Sequence, residues 1–313
     1  MGKLQVDAAS EWWQFEIAAA FWVHIRIITV VHQTSGKIMT LSKAWLTALY
    51  RSEIEDRILN DHRTTPTTFL GWSRKSIFED VIVGGQADFD QPVGHLSASD
   101  RALLYAKYNQ TRHIDELCYA FNQLFGGAGY GDPIVFDLGC GPFTAGLSLA
   151  NTLGKDISFN YYGVDCYKSM QTLGMQMATA ARSCNELHPM TRYQFVNDLD
   201  EISFDTISGK LTIFIASYLL ASPSIDPILL AQKIRRTHES ASLGPAAVLY
   251  TNSARPEARQ KFPLFKQTLE AAGYIAVTDT TELFTATSKK PTNVHYALFF
   301  KPADSNIKRN RAI

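Results

Sequence analysis

From residue 134 onward, short apolar runs alternate with helical stretches, and this rhythm restricts the fold more than any other feature of the chain. The runs fall at 134–136, 159–164, 193–196, 211–216, 246–251, 274–279 and 295–300. Three- and four-residue periodicity between them predicts helices near 144–153, 167–184, 227–238 and 256–272. Seven short strands separated mostly by helices predict an α/β fold, a mainly parallel sheet covered on both faces. The last two runs lack a long crossover, so one of them is predicted to be antiparallel.

The chain before this point reads differently. Aromatic and aliphatic clusters recur at helical steps from Ala8 to Phe125, as in Trp45, Leu46, Leu49 and Tyr50, and strand signals are scarce. Gly84, Gly85, Asp88, Asp90, Pro92 and Gly94 mark a loop or linker, after which Ser97 or Ser99 is placed to cap a helix over 100–125. That helix ends at Gly126, Gly127, Gly129 and Gly131. The predicted organisation is a mainly helical N-terminal domain over 1–125 and an α/β domain over 126–313.

Composition narrows the class. Of 313 residues, 46% are hydrophobic and 19% charged, which suits a compact globular chain and excludes wholesale disorder. Thirty basic residues balance thirty acidic ones, a poor match to a general nucleic-acid binder. The first 130 residues carry 12 basic against 14 acidic groups and the rest 18 against 16, with Arg235, Arg236, Arg255, Arg259, Lys261, Lys266, Lys308, Arg309 and Arg311 in the second part. Cys118, Cys140, Cys166 and Cys184 stand too far apart for a structural zinc or iron–sulfur site, so no metal is expected, and they are too few for a disulfide scaffold. A reducing, cytoplasmic setting is the expectation. The apolar stretch 15–31 contains Glu16, His24 and Arg26 and is read as buried, with no membrane contact.

The first strand carries the chemistry. Ile134-Val135-Phe136-Asp137-Leu138-Gly139-Cys140-Gly141-Pro142-Phe143-Thr144 is an apolar strand entering a glycine turn that opens a helix. In an open parallel sheet, ligands sit beyond the carboxyl ends of the strands, and glycines let a ligand approach the backbone there. Asp137 precedes the turn, and Asp165 closes the next strand, where a carboxylate is suited to both hydroxyls of a ribose. Asp198 ends the third strand, suited either to an exocyclic amine of adenine or to a helix-capping or surface role. A dinucleotide fingerprint would need glycine where Thr144 stands, and neither a phosphate-binding G-x-x-x-x-G-K-[ST] nor an H-E-x-x-H occurs. Ser148 lies inside a predicted helix, which excludes a nucleophile elbow.

Together these residues resemble the class I S-adenosylmethionine-dependent methyltransferases over roughly residues 105–301, with Asp137-Leu138-Gly139-Cys140-Gly141-Pro142 as their first motif. The resemblance implies a Rossmann-like seven-stranded methyltransferase sheet and S-adenosyl-L-methionine as the cofactor. It implies donor contacts at Asp137, Gly139, Gly141, Asp165, Asp198, Leu199 and Ser217. Residues 215–220, Ile-Ala-Ser-Tyr-Leu-Leu, are similar to the fourth-strand motif that lines the donor methyl. More loosely, residues 105–124 and Ser217-Tyr218-Leu219 are similar to the methyltransferase-like proteins associated with small ribosomal subunits, although their metal-binding cysteine cluster is absent here.

The expected activity is methyl transfer to an unidentified acceptor, RNA slightly favoured over protein and small molecules. Ser217 and Tyr218 are the catalytic candidates, Tyr218 reading equally well as a core aromatic. Tyr108, Arg112 and His113 read better as a surface helix than as a cover over the donor. Phe143 departs from the small residue most often found in this motif, and its ring either crowds the donor's methionine part or packs beneath it. The alternative function, motivated by Phe143, is a catalytically silent binding module for a protein or nucleic-acid partner.

Overall fold

The computed structural model describes residues 43–125, 131–203, 210–241, 244–284 and 292–303. The stretch 15–31, Gly126, Gly127, Gly129 and the basic residues Lys308, Arg309 and Arg311 lie outside the described residues.

Seven strands form the main sheet: β1 (Ile134–Leu138), β2 (Asn160–Val164), β3 (Arg192–Val196), β4 (Thr212–Ser217), β5 (Ala246–Ser253), β6 (Ile275–Phe284) and β7 (Thr292–Lys301). Their order is β3-β2-β1-β4-β5-β7-β6. β1 to β5 run parallel, and β7 pairs antiparallel with both β5 and β6. The seven apolar runs all become strands, and β7 is the antiparallel member that the short last connection requires. A small antiparallel pairing of Thr68–Phe69 with Trp72–Ser73 stands apart.

Side chains alternate across the sheet and so divide the core in two. Val135 joins one buried cluster, with helices α1 to α4, while Ile134, Phe136 and Leu138 join another, with α5 and α6. Here α1 is the continuous helical run 44–59 and α2 the run 98–125, each containing a π-helical turn, at Arg51–Glu55 and at Ala106–Gln110. The others are α3 (Thr144–Leu153), α4 (Lys168–Ser183), α5 (Pro227–Ala241) and α6 (Phe262–Ala271). Every residue of β1 is buried, which explains why it reads as an unbroken apolar run.

α2 begins as its sequence predicts. The Ser97 hydroxyl accepts from the Asp100 N–H at 3.1 Å while the Asp100 carboxylate accepts from the Ser97 N–H at 3.0 Å, a reciprocal capping box. Residue 126 separates helical from alternating sequence, yet the core crosses it. Ile54 and Ile58 of α1 and Leu117 and Phe121 of α2 lie in the same buried cluster as Val135 and Leu298. The Ser148 hydroxyl, buried in α3, donates to Ile114 O of α2 at 3.3 Å and to Thr144 O at 2.8 Å.

The glycine-rich stretch that reads as a linker is packed onto this core. Residues 77–91, called the strap below, contain a π-helical turn at Ile77–Val81 and a 3-10 turn at Val83–Gly85. Arg101, 3% exposed, donates to Val81 O at 3.1 and 2.6 Å and to Asp88 O and Gln91 O at 2.5 Å each. At the far end the Asp90 carboxylate accepts from the Lys168 and Ser169 N–H groups, both at 2.8 Å, and so caps α4.

Candidate functional site

A cleft of about 980 Å³ lies beyond the carboxyl ends of β1, β2, β3 and β4, where ligands of open parallel sheets bind. One wall is the glycine loop and the strand-end acids, and another is the strap with one face of α2.

The loop needs its glycines. Gly139 has φ +72°, and a Cβ there would sit 2.9 Å from Leu219 Cδ1. Gly141 has φ +51°, and its N–H donates to Asp165 Oδ2 at 2.9 Å. Asp165 Oδ1 accepts from the Tyr167 N–H at 2.9 Å, so the carboxylate fixes the loop and the start of α4 together. Burial pushes the Asp165 carboxyl above its usual value, against the pull of these two N–H groups. Each oxygen has used one acceptor site, and each retains another for a ligand hydroxyl.

Asp137 does not line the cleft. It is 2% exposed and accepts from the Tyr161 hydroxyl at 2.6 Å, supporting the loop from beneath. Burial raises its carboxyl to about 7. Its contact ties β1 to β2 through Tyr161.

Phe143 adopts φ +65°, a left-handed conformation that is unfavourable for a bulky residue, at the N-cap of α3. Its ring is fully buried and meets Tyr161 edge-on at 4.8 Å and Phe195 at 5.9 Å between centroids. It packs beneath the loop and is not part of the cleft wall.

Asp198 lines the cleft but has partners. Lys233 Nζ approaches its two oxygens at 2.7 and 2.5 Å, and the Asp200 N–H donates to Oδ1 at 3.1 Å. The helix-cap reading therefore describes its contacts, with Lys233 pulling its carboxyl below the usual value against a desolvating burial that acts the other way. Leu199 follows on the same wall.

At the end of β4, Ser217 lines the cleft, and its Oγ accepts from the Thr251 hydroxyl at 2.9 Å. Tyr218 follows with φ +58°, its hydroxyl donating to Glu116 Oε1 at 3.2 Å and its ring stacked on His113 at 4.1 Å. Burial, reinforced by the Glu116 charge, holds this phenol above its usual value, so it serves as a neutral donor. Arg112, which pairs with Glu116 at 3.3 Å, also lines the cleft.

The surface-helix reading of Arg112 and His113 thus fails: both belong to the wall, with Tyr105 and Asn109. The spacing 105, 109, 112, 113 was the available signal, since these positions share a helical face. The strap gave no comparable signal, being rich in turn residues. Among the described residues no group of three or more His, Cys, Asp or Glu side chains is placed to hold a metal ion, and no helix is long and apolar enough to cross a membrane.

No protein-family model matches the chain, and no curated protein matches it. Solved structures with a similar arrangement include a putative RNA methyltransferase from Pyrococcus horikoshii, 17% identical, covering 61% of this chain and 83% of that one with a TM-score of 0.39. Magnesium protoporphyrin IX methyltransferase from Synechocystis PCC 6803, with bound donor, is 12% identical, covering 73% and 94% with a TM-score of 0.43. A methyltransferase from Clostridium acetobutylicum ATCC 824 is 11% identical, covering 64% and 97% with a TM-score of 0.44. The sheet order, the antiparallel β7 and the glycine loop at the end of β1 give this chain a Rossmann-like α/β fold, as expected from its resemblance to the class I S-adenosylmethionine-dependent methyltransferases.

Proposed function

We propose that the protein binds S-adenosylmethionine across the Gly139–Gly141 loop and transfers its methyl group to an acceptor in the same cleft. The observation that carries this reading is Asp165, tied to the Gly141 N–H at 2.9 Å while each carboxylate oxygen keeps an acceptor site open. Such a group suits the paired hydroxyls of a ribose laid over the loop. Asp198 and Leu199 flank the position of the adenine, and Ser217 and Tyr218 bound the reacting end. The bound donor supplies an electrophilic methyl on a sulfonium. The protein's part is to hold the acceptor in line with it, since orientation alone accounts for much of such an acceleration. Tyr218 orients through its ring and its bond to Glu116.

The silent-module reading rested on Phe143 intruding on the donor, and its ring is buried beneath the loop. RNA remains our preferred acceptor on the sequence resemblance. Label from radioactive donor that entered only the protein or small-molecule fraction of a whole-cell extract would overturn that choice.

Calorimetric titration with S-adenosylmethionine tests the donor assignment. Binding by the intact protein, weakened by Asp165→Ala, is expected. Absence of binding, or an affinity unchanged in the variant, would sink it.

A further inference from the structure

Tyr105 of α2 stands where the two glycine segments of the cleft approach each other. A Cβ on Gly141 of the loop would lie 3.7 Å from its Cε1, and a Cβ on Gly85 of the strap 3.2 Å from its Cε2. Phe89 of the strap meets the same ring edge-on at 5.2 Å between centroids, so the ring is held in place. Tyr105 lines the cleft, and its hydroxyl makes no hydrogen bond among the described residues. The hydroxyl of Tyr108, by contrast, donates to Arg74 O at 3.1 Å. A phenylalanine would fill the space between the two glycines as well, so packing accounts for the ring of Tyr105 and not for its hydroxyl.

Burial raises this phenol above its usual value, with the Asp165 charge adding to the rise and Arg112 opposing it, so the hydroxyl stays a neutral donor. Arg112 lies further along the same wall, its guanidinium carbon 5.6 Å from the centre of the Tyr218 ring and its side chain 25% exposed. Glu116 steadies its Nε at 3.3 Å, and Nη2 lies 3.4 Å from His113 Nε2. A guanidinium has more N–H groups than these contacts use. Two other lysine or arginine side chains line the cleft among the described residues. Lys233 is held by Asp198, and Arg255 follows β5, on the far side of β4 from the glycine loop. Arg112 is therefore the cation on the Tyr105 side of the cleft.

The sulfonium of S-adenosylmethionine joins three arms: the methyl, the ribose side and an amino-acid chain that ends in a carboxylate. With the ribose on Asp165 and the methyl directed at Ser217 and Tyr218, the amino-acid chain is left the space between the loop and α2. We propose that the Tyr105 hydroxyl and the Arg112 guanidinium clamp the α-carboxylate of the donor. The phenol donates to one carboxylate oxygen and the guanidinium to the other, both as charge-assisted hydrogen bonds. Fixing this arm fixes the direction in which the sulfonium presents its methyl, which is what in-line transfer requires. The strap takes part indirectly, because Gly85 and Phe89 hold the Tyr105 ring. The proposal rests on the donor reading and deepens it, giving the helical part of the chain a share in selecting the donor.

The test titrates the full chain calorimetrically with two ligands that differ only in the carboxylate: S-adenosylhomocysteine, and 5′-deoxy-5′-(3-aminopropylthio)adenosine, which is the same molecule with hydrogen in its place. The wild type is expected to bind the first at least about tenfold more tightly, the effect of one charge-assisted hydrogen bond or more. Tyr105→Phe keeps the ring between the glycines and removes only the hydroxyl. Tyr105→Phe and Arg112→Gln are each expected to shrink the ratio of the two affinities severalfold by weakening S-adenosylhomocysteine, while the ligand without the carboxylate binds as it does to the wild type. Arg112→Lys should keep part of the ratio, since it retains the charge without the fork. The ratio separates a ligand contact from a structural role, because a variant that merely loosens the wall weakens both ligands alike. Equal binding of the two ligands by the wild type, a ratio unchanged in either Tyr105→Phe or Arg112→Gln, or an equal loss for both ligands would overturn the clamp while leaving the donor reading in place. Binding of neither ligand by the wild type would refute the donor reading itself, and the clamp with it.

Discussion

The Tyr161 hydroxyl donates to Asp137 Oδ2 at 2.6 Å inside the core, joining β2 to β1 directly below the glycine loop. Both groups are buried, and each is pushed up by its burial, Asp137 to about 7 and Tyr161 well above a normal phenol. Native Asp137 therefore keeps its proton through a range in which the unfolded chain has lost it. Between about pH 4 and pH 7 the native state binds the extra proton, so this residue stabilises most below pH 4 and progressively less as pH rises toward 7. Denaturant unfolding of wild type and Asp137→Asn across this range should show a difference in stability that changes by a few kcal/mol. A difference independent of pH would mean that Asp137 titrates normally.

Phe143 fills the space under the same loop. Replacing it with alanine is expected to cost about 3–5 kcal/mol of folding stability, the usual range for a fully buried aromatic. Phe143→Leu, which keeps most of the apolar contact, should lower Tm yet leave S-adenosylhomocysteine affinity unchanged, because the ring is not part of the cleft wall. Tighter donor binding in the leucine variant would show that the ring does crowd the site.

The strands were legible because burial on both faces turns them into apolar runs, and β1 is the clearest case. The turn at Gly139 and Gly141 was legible because its positive φ angles dictate the residue type. The bond of Asp137 to Tyr161 was not legible, because its partner lies 24 residues away on the next strand, where no spacing rule points to it. Asp198 shows the same difficulty, since Lys233 reaches it from α5, beyond the next strand. The strap resembled a linker because its own residues are turn formers. What holds it is Arg101 and the N-terminus of α4, both contributed by other segments.

The Asp198–Lys233 pair lies on the cleft rim, with 45% and 33% of the side chains exposed. A pair this wet contributes little, about 0–1 kcal/mol. Lys233→Met should therefore leave Tm nearly unchanged while letting the Asp198 carboxyl return upward toward its usual value. Nuclear magnetic resonance titration of the Asp198 side chain checks this directly. A large fall in Tm would show that the pair organises the end of β3.

Arg101 holds the strap with hydrogen bonds to three backbone carbonyls, those of Val81, Asp88 and Gln91. Its burial lowers the guanidinium's value, yet it stays charged, and charged hydrogen bonds of this kind contribute about 1.5–3 kcal/mol each without adding fully. Arg101→Ala removes the guanidinium from those carbonyls, of which Asp88 O keeps the Gln91 N–H at 3.4 Å, while Asp90 still anchors the far end on α4. Local opening should then become easier than global unfolding. In hydrogen exchange, amides of residues 83–91 should lose protection in the variant, while those of β1 and β4 keep it at matched denaturant. Arg101→Lys should restore only part of the protection, since one ammonium does not span three carbonyls in the geometry of a guanidinium fork. Equal loss of protection in the strap and the sheet would show instead that Arg101 supports the whole core.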